Sequence, residues 1–370
     1  MIRKGLQTAL LSSLLLAALP AGAQFMAADL IYLPAATHTP GEGTSRWRSD
    51  LFITNVEEDV AIDVALVYLP TGLLSNSNRF IDRSTWLGGR DNDGFGFVDP
   101  MLAGIPPGGT VVLEDPIGNY FFDPEGQIAN SGAIVIFAYE ANTLEDDGTR
   151  VLKNAIVNSR VYTPFTFYLP DSDNEGEFIE ERGTFGQTLP GVAWYNLADP
   201  SAIGDNGDFS FLILTGAGED DDYRYNVGVL NASDPLSSIT ISIQPFQGDG
   251  EPFLDENDNE ISRVVTMPPL THIQYNNIMS NLFGIDEAPN DISIDVTVLG
   301  WASGSGDPII GMTTYGNMID NRTNDPTAIL PLFAFSYNIE CQWPASDAKI
   351  LGKSAGAPRV GRRPVGIPPR

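Results

Sequence analysis

The sequence predicts an all-β protein built from two tandem β-sandwich domains of the Ig-like or Greek-key kind, related by internal duplication. Apolar residues recur at every second position, as in Ile62, Val64 and Leu66, which is the period of a strand with one buried face. The chain has 37 Gly and 27 Pro residues, which favours short strands separated by turns over long helices. The third observation is that the second half repeats the first, so one fold is used twice.

The internal repeat appears in several segments that return in the same order. Residues 48–55 return as 224–231, the apolar triplet at 62, 64 and 66 as 239, 241 and 243, and residues 106–121 as 268–283. Ile156 and Tyr162 are matched to Ile309 and Tyr315. Ordered matches over this length indicate two copies of one domain, each of ordinary size for a single core.

The predicted boundaries follow from this repeat and from the composition of the two ends. Arg3 and Lys4, an apolar stretch over 9–19 and small residues at 21–23 are typical of a secretory signal. We therefore expect a signal peptide at 1–23, domain 1 at 24–182 with an insertion at about 73–98, domain 2 at 183–337, and a C-terminal extension at 338–370 with a basic, disordered tail from about 348.

Charge and cysteine content exclude several classes of protein. The chain carries 48 acidic and 20 basic residues, a net charge of −28, which repels nucleic acid. Cys341 is the single cysteine, so no intramolecular disulfide can form. No segment outside the signal is long and apolar enough for a membrane helix. Because of the predicted signal peptide, the mature protein is expected to be exported, and to be periplasmic, cell-surface or extracellular.

Conventional catalytic motifs are absent from the sequence. The two histidines, His38 and His272, occupy different places in the two copies, and no Ser or Cys nucleophile has a neighbouring base. No nucleotide-binding loop follows a predicted strand. We predict a non-enzymatic protein with no catalytic residue. Paired carboxylates acting as a glycoside hydrolase remain a minor alternative.

Calcium is the cofactor for which the sequence offers ligands. Oxygen-bearing side chains at alternating positions form two candidate sites, Asp171, Asp173 and Glu175 in one, and Asp255, Asn257 and Asn259 in the other. Arg182 stands where an EF-hand would need Glu, so the first of these candidates is not an EF-hand. The alternative is that these residues simply form turns, which Asp and Asn also favour.

The insertion in domain 1 offers a second kind of site. An exposed aromatic ring beside charged groups can bind a sugar, and the candidate residues are Trp86, Arg90, Asp91 and Asp93. The alternative is that Trp86 fills the edge of the sandwich as part of a small core, as large aromatic residues usually do.

Two motifs resemble a known group of proteins. Residues 37–41 (THTPG) followed by 47–51 (WRSDL), and residues 319–327 (IDNRTNDPT), resemble uncharacterised exported bacterial proteins with paired β-sandwich repeats, which share a WR[ST]DL-type start and a DNRTxDPT-type ending. The resemblance implies fold and export, and transfers no functional residue.

The function predicted from the sequence is adhesion, surface display or extracellular assembly by an exported β-sandwich repeat protein, with calcium as a candidate stabiliser. The expected partner is a cell-surface or extracellular protein or polysaccharide, or a second copy of the chain. The alternative is a pair of carbohydrate-binding modules that use the Trp86 loop.

Overall fold

The computed structural model describes residues 26–41, 46–81, 86–88, 102–121, 123, 125, 128–143, 150–170, 178–199, 210–286, 288–306, 308–323 and 325–335. Within these ranges strands predominate, and helical structure is limited to a five-residue helix, α1 (Ser77–Ile81), and a few single turns. The predicted signal peptide and basic tail lie outside the described residues.

The strands follow one another with short connections. They are β1 (Leu30–Thr37), β2 (Thr39–Pro40), β3 (Arg46–Asn55), β4 (Ile62–Pro70), β5 (Leu87–Gly88), β6 (Thr110–Leu113), β7 (Ser131–Glu140), β8 (Ala155–Pro170), β9 (Phe178–Pro190), β10 (Val192–Ala193), β11 (Ser210–Glu219), β12 (Tyr223–Asn231), β13 (Ser237–Phe246), β14 (Arg263–Met267), β15 (His272–Tyr275), β16 (Ala288–Ser303), β17 (Met312–Asp320), β18 (Pro326–Ile329) and β19 (Leu332–Phe335).

These strands form four small antiparallel sheets, so the predicted all-β class is confirmed. Sheet A has the order β10-β1-β7-β4-β5 and sheet B the order β2-β3-β8-β9, with β6 also paired to β3. Sheet C has the order β14-β13-β16-β11-β19 and sheet D the order β15-β12-β17-β18. Four sheets of four or five strands match the number and size of the blades of a four-bladed β-propeller.

The prediction of two Ig-like sandwiches is wrong. An Ig-like domain keeps its first two strands side by side in one sheet, whereas β1 here lies in sheet A and β3 in sheet B. The next strand, β4, returns to sheet A, and β6 returns to sheet B. Alternating apolar residues show which face of a strand is buried, but they do not show which strand pairs with it, so the sequence pattern could not give this order.

Two hydrophobic cores lie between the sheets. One core joins sheets A and B and includes Ile31, Leu51 and Ile136. The other joins sheets C and D and includes Val227 and Ile294. We call residues 26–193, around the first core, the first unit, and residues 198–335, around the other, the second unit.

Sheet A is buried on both of its faces. Strands β4 and β7 are buried along almost their whole length. The continuously apolar run at 133–138 lies within β7, and all of its residues are buried. The face of sheet A turned away from sheet B forms a third apolar cluster with Phe80 and Trp86 of the insertion and with Leu230 of the second unit. This cluster fixes the two units against each other.

The two units share one strand order. One sheet of each unit contains the same run of three neighbouring strands, β4-β7-β1 in the first unit and β13-β16-β11 in the second. The other sheet repeats as β6-β3-β8-β9 and β15-β12-β17-β18. Each unit also has a π-helical turn, Ile117–Phe121 after β6 and Met279–Phe283 after β15.

Strand pairing corrects one match in the internal repeat and shows where the predicted domain boundary lies. Arg48 lies opposite Tyr162, and its counterpart Arg224 lies opposite Ile319, so Tyr162 corresponds to Ile319 and not to Tyr315. The predicted boundary between residues 182 and 183 falls inside β9, which pairs with β8 along its length. The chain leaves the first core after Ala193 and joins the second at Ala198.

Among the described residues, no helix has the length and apolar character needed to cross a membrane.

Candidate functional site

The outer face of sheet D meets the first unit. In β12, Val227 and Val229 point into the second core, so the alternate residues Asn226, Gly228 and Leu230 lie on the opposite face. That face is apolar at one end of the sheet, where Leu230 joins the third cluster. It is polar at the other end, and an open cleft is left between the units there.

A buried histidine joins the two units next to this cleft. The Nδ1 atom of His272 lies 2.8 Å from Thr71 Oγ1 of the first unit, and its Nε2 atom lies 3.3 Å from Tyr315 Oη. Gly72 N–H donates to the His272 carbonyl at 2.8 Å. Burial lowers the pKa of His272 to about 3, so the ring is neutral near pH 7 and acts as a hydrogen-bonding group rather than a charge.

The insertion adds a second connection between the units. Asn76 Nδ2 donates to the carbonyl of Leu270 at 2.9 Å, and Ser77 Oγ donates to the carbonyl of Pro235 at 2.7 Å. These bonds satisfy loop carbonyls of the second unit with side chains at the start of α1. The insertion therefore acts, in its described part, as a connection between the two units.

The cleft between the units has a volume of about 450 Å³ and draws its walls from both. The first unit contributes residues 35–37, 39–41, Trp47, Ser131, Val161, Gln187 and Leu189, and the second contributes Arg224, Asn226, Gln274, Asn276, Asn277, Tyr315, Asn317 and Ile319. Arg224 is the single charged residue among these described lining residues, and none of them carries a carboxylate. A lining without carboxylates is unusual in a chain with 48 acidic residues, and it distinguishes the cleft from the rest of the surface.

One wall of the cleft depends on a close contact between two strands. A Cβ atom on Gly228 would lie 2.1 Å from Tyr315 Cε1, so only glycine leaves room for the tyrosine ring to lie across β12. The Tyr315 hydroxyl donates to Gln274 Oε1 at 2.8 Å, and its ring stacks on His272 with 6.1 Å between centroids. Burial raises the pKa of Tyr315 well above its usual value, so the hydroxyl keeps its proton.

Two amide oxygens at the cleft lack a partner. Asn317 Oδ1 and Gln187 Oε1 are buried and accept no hydrogen bond from any described residue. They stand on opposite walls, because Asn317 belongs to β17 and Gln187 to β9. Trp47, in β3, provides a half-buried aromatic ring on the wall of the first unit. The cleft thus combines amide groups, hydroxyls and one indole.

The first unit carries its own version of this polar site. Asp115 Oδ2 lies 2.7 Å from His38 Nδ1 and 4.0 Å from Arg48 Nε. Asp115 N–H donates to Asp50 Oδ1 at 3.1 Å. Gly118 permits the His38–Asp115 contact, because a Cβ atom there would lie 2.4 Å from His38 Nδ1. The sequence gives no sign of this contact, because 77 residues separate His38 from Asp115.

Trp86 does not form an exposed sugar platform. Its side chain is 2 % exposed and its ring stacks on Phe137 with 4.9 Å between centroids, while Nε1 donates to the Arg79 carbonyl at 3.1 Å. The alternative interpretation, that Trp86 belongs to a small core, is the one the structure supports. Arg90, Asp91 and Asp93 lie outside the described residues.

Asp255, Asn257 and Asn259 form the tip of a hairpin. Asp255 Oδ1 accepts hydrogen bonds from the backbone N–H groups of Asn257 and Asn259 at 2.8 and 2.9 Å. These bonds lower the pKa of Asp255 and account for the spacing as a turn. No group of three or more His, Cys, Asp or Glu side chains that could hold a metal ion occurs in the described part of the chain. Asp171, Asp173 and Glu175 lie outside it, so calcium binding stays a prediction.

Sequence reasoning missed the residues that the cleft brings together. The sequence marks Trp47 only as part of the segment 47–51, and Arg224 only as the first residue of the repeated segment 224–231. Asn226 and Asn277 are 51 residues apart, yet Asn277 N–H donates to Asn226 Oδ1 at 3.0 Å. A usable signal was present in the repeat itself, because Asn226 and Asn277 replace Asp50 and Asp115 of the first copy.

Comparisons with known proteins give little further information. No protein-family model matches the chain, and no curated protein sequence does. Two solved structures align weakly: a lectin from Pleurotus ostreatus in complex with GalNAc, with 6 % identity, 84 % of this chain and 77 % of the lectin covered, and a TM-score of 0.14, and the apo form of Pleurotus ostreatus lectin, with 8 % identity, 84 % and 81 % covered, and a TM-score of 0.12. Neither similarity bears on the fold or the function of this chain.

Proposed function

We propose that the protein binds carbohydrate in the cleft between its two units. The observation that carries this proposal is the composition of the cleft, which is rich in amides, contains an indole and lacks carboxylates. A sugar presents hydroxyl groups that both donate and accept, and Asn and Gln side chains offer a donor and an acceptor at once. The faces of sugar rings are apolar enough to pack against an aromatic ring.

The volume of the cleft suits a small saccharide. About 450 Å³ lies within the range of pockets that hold small molecules. The side-chain amides of Gln187 and Asn317 line opposite walls of the cleft, and an amide both donates and accepts hydrogen bonds. Trp47 replaces Trp86 as the aromatic residue of the proposed site, because Trp86 is buried under the insertion.

The proposal is tested by measuring saccharide binding to the Trp47→Ala variant. A glycan panel would first identify a bound oligosaccharide, and calorimetry would then give its Kd. Loss of the indole should weaken binding about tenfold, since an aromatic contact contributes roughly 1 kcal/mol beyond its buried area. Trp301→Ala is the matched control, because Trp301 is 45 % exposed on sheet C and does not line the cleft.

Two results would contradict carbohydrate binding in the cleft. One is a glycan panel on which no saccharide binds the wild-type protein. The other is a bound saccharide whose Kd changes equally in the Trp47 and Trp301 variants, since the ligand would then occupy a different surface.

This proposal includes a biological role in adhesion. An exported protein that binds saccharide could attach to a cell-surface or extracellular polysaccharide, which is among the partners that the sequence predicts. Export, adhesion and the absence of enzymatic activity remain predictions. Comparing culture fractions for the full-length chain, with and without residues 1–23, would test export.

A further inference from the structure

The wall that the second unit gives to the cleft contains Asn226, whose amide oxygen is already bonded. Asn277 N–H donates to Asn226 Oδ1 at 3.0 Å. A backbone N–H group donates and cannot accept, so the side-chain atom that meets it must be the oxygen, and this contact fixes which way the amide is turned. The nitrogen, Nδ2, is therefore the hydrogen-bonding atom that the side chain has left for other contacts.

Asn226 Nδ2 has no hydrogen-bond partner in the part of the chain that the structure describes. The residue is 6 % exposed, belongs to β12 and lines the cleft. Burying an amide N–H group without an acceptor costs free energy, so the site gains from a ligand that brings an oxygen to it. Because its oxygen is occupied, Asn226 acts toward the cleft as a donor.

A second amide on the same wall is oriented in the same sense. Tyr315 Oη donates to Gln274 Oε1 at 2.8 Å, and Gln274 Nε2 donates to Asn276 Oδ1 at 2.7 Å. Asn276 also lines the cleft, and its occupied oxygen leaves its Nδ2 atom as a donor. Two amides of the second unit thus turn the same polarity toward a ligand.

The matching position in the first unit has the opposite polarity. Asp50 corresponds to Asn226 in the repeat, and its Oδ1 atom accepts the Asp115 N–H at 3.1 Å. A carboxylate therefore makes the same backbone hydrogen bond as the amide, and this bond does not require Asn at position 226. A carboxylate has only acceptor atoms, whereas Asn226 keeps an N–H₂ group. Asn226 lines the cleft, and Asp50 is not among the described residues that do.

We infer that Asn226 selects saccharides that place a hydrogen-bond acceptor against its Nδ2 atom. This inference rests on the proposed function and adds which kind of ligand atom is recognised at this point. A hydroxyl oxygen, a ring oxygen or a glycosidic oxygen can each accept, and where a hydroxyl binds here its oxygen makes the contact and not its hydrogen. A group that cannot accept leaves the Asn226 donor unsatisfied.

The variant Asn226→Asp replaces the donor by an acceptor and keeps the bond to the Asn277 N–H. It should weaken binding of the saccharide found on the glycan panel about tenfold or more, because the ligand's acceptor would face a carboxylate oxygen. Since Asp50 already accepts a backbone N–H in this geometry, the variant should fold, and an unchanged melting temperature would confirm that. Asp50→Asn is the matched control, because it makes the reverse exchange outside the cleft and should leave Kd unchanged.

Sugar derivatives test the polarity of the contact directly. Methyl glycosides of glucose, galactose and mannose would be titrated by NMR beside forms in which single hydroxyl groups are replaced by hydrogen or by fluorine. Fluorine accepts a hydrogen bond weakly and cannot donate one. At the recognised position, hydrogen should weaken binding to the wild-type protein about tenfold and fluorine much less. Asn226→Asp should reverse this order, so that the hydroxyl form binds most tightly and the fluorinated form least.

The possible failures are distinguishable. A saccharide that binds Asn226→Asp as tightly as the wild-type protein would overturn the role of Asn226 and leave carbohydrate binding standing. Equal weakening of the hydroxyl, deoxy and fluorinated forms by the variant would also overturn it, since a purely structural role has that effect. Absence of any bound saccharide on the glycan panel would overturn the proposed function and this inference together.

Discussion

At the scale of single residues, burial determines the protonation state of His272. Its ring lies between Thr71 of one unit and Tyr315 of the other, and burial lowers its pKa from 6.5 to about 3. A group that must stay neutral in the folded protein makes stability depend on pH, because the unfolded chain is free to take up the proton. His272 is thus both a connection between the units and a source of acid sensitivity.

We predict that the free energy of unfolding falls as pH drops below 6.5, by about 2 kcal/mol from this residue alone between pH 6.5 and 5. The sign follows from the lowered pKa: below 6.5 the unfolded state binds a proton that the folded state does not. His272→Gln keeps a polar group at this position without the titration. Urea unfolding at pH 8, 6.5 and 5 should show a smaller loss for the variant, and equal losses in both proteins would contradict the assignment.

At the scale of elements, the antiparallel pairing of β12 with β17 sets the wall of the cleft. Gly228 is the point of closest approach, because the Tyr315 ring occupies the space of its missing Cβ. A displaced ring would lose the hydrogen bond to Gln274 and change the shape of the cleft. Packing between these two strands therefore affects both stability and the proposed site.

Gly228→Ala should lower the free energy of unfolding by about 2 kcal/mol, the usual cost of forcing extra atoms into a packed contact. Gly300→Ala is the control on a strand where no atom lies within 4 Å of the added Cβ, and it should change stability little. Urea unfolding of both variants gives the comparison. Equal effects at the two positions would show that the Tyr315 contact is not what restricts position 228.

At the scale of the whole molecule, apolar packing and hydrogen bonds join the two units. Sheet A is buried on both faces, and the second unit covers part of its outer face through Leu230 and Leu270. Hydrogen bonds from Asn76 and Ser77 cross the same junction. Separating the units would expose this apolar surface to water, which favours cooperative unfolding.

We expect a single calorimetric unfolding transition for the intact chain. Leu230→Ala should destabilise it by about 3 kcal/mol, because Leu230 is 1 % exposed at the junction. Leu299→Ala is the control, since Leu299 is 48 % exposed and should shift stability by no more than about 0.5 kcal/mol. Two well-separated transitions in the wild-type protein, with Leu230→Ala affecting neither, would show that the units fold independently.

The sequence by itself determined the all-β class, because a period of two in apolar residues can be satisfied only by strands with a buried face. It also located the repeat, whose two copies share one strand order. The boundary that it places between residues 182 and 183 falls inside β9, because turn residues mark where a chain can bend and not which sheet it joins.

Only the tertiary structure decided the candidate site. Trp47, Arg224 and Asn277 come from three distant segments, and their common position follows from the packing of sheet D against the first unit. Tertiary packing also buried Trp86, which the sequence offered as a sugar platform, and within the first unit it brought His38 to Asp115. Local patterns report which residues prefer burial, whereas the partner of each buried or polar face depends on contacts between segments far apart in the chain.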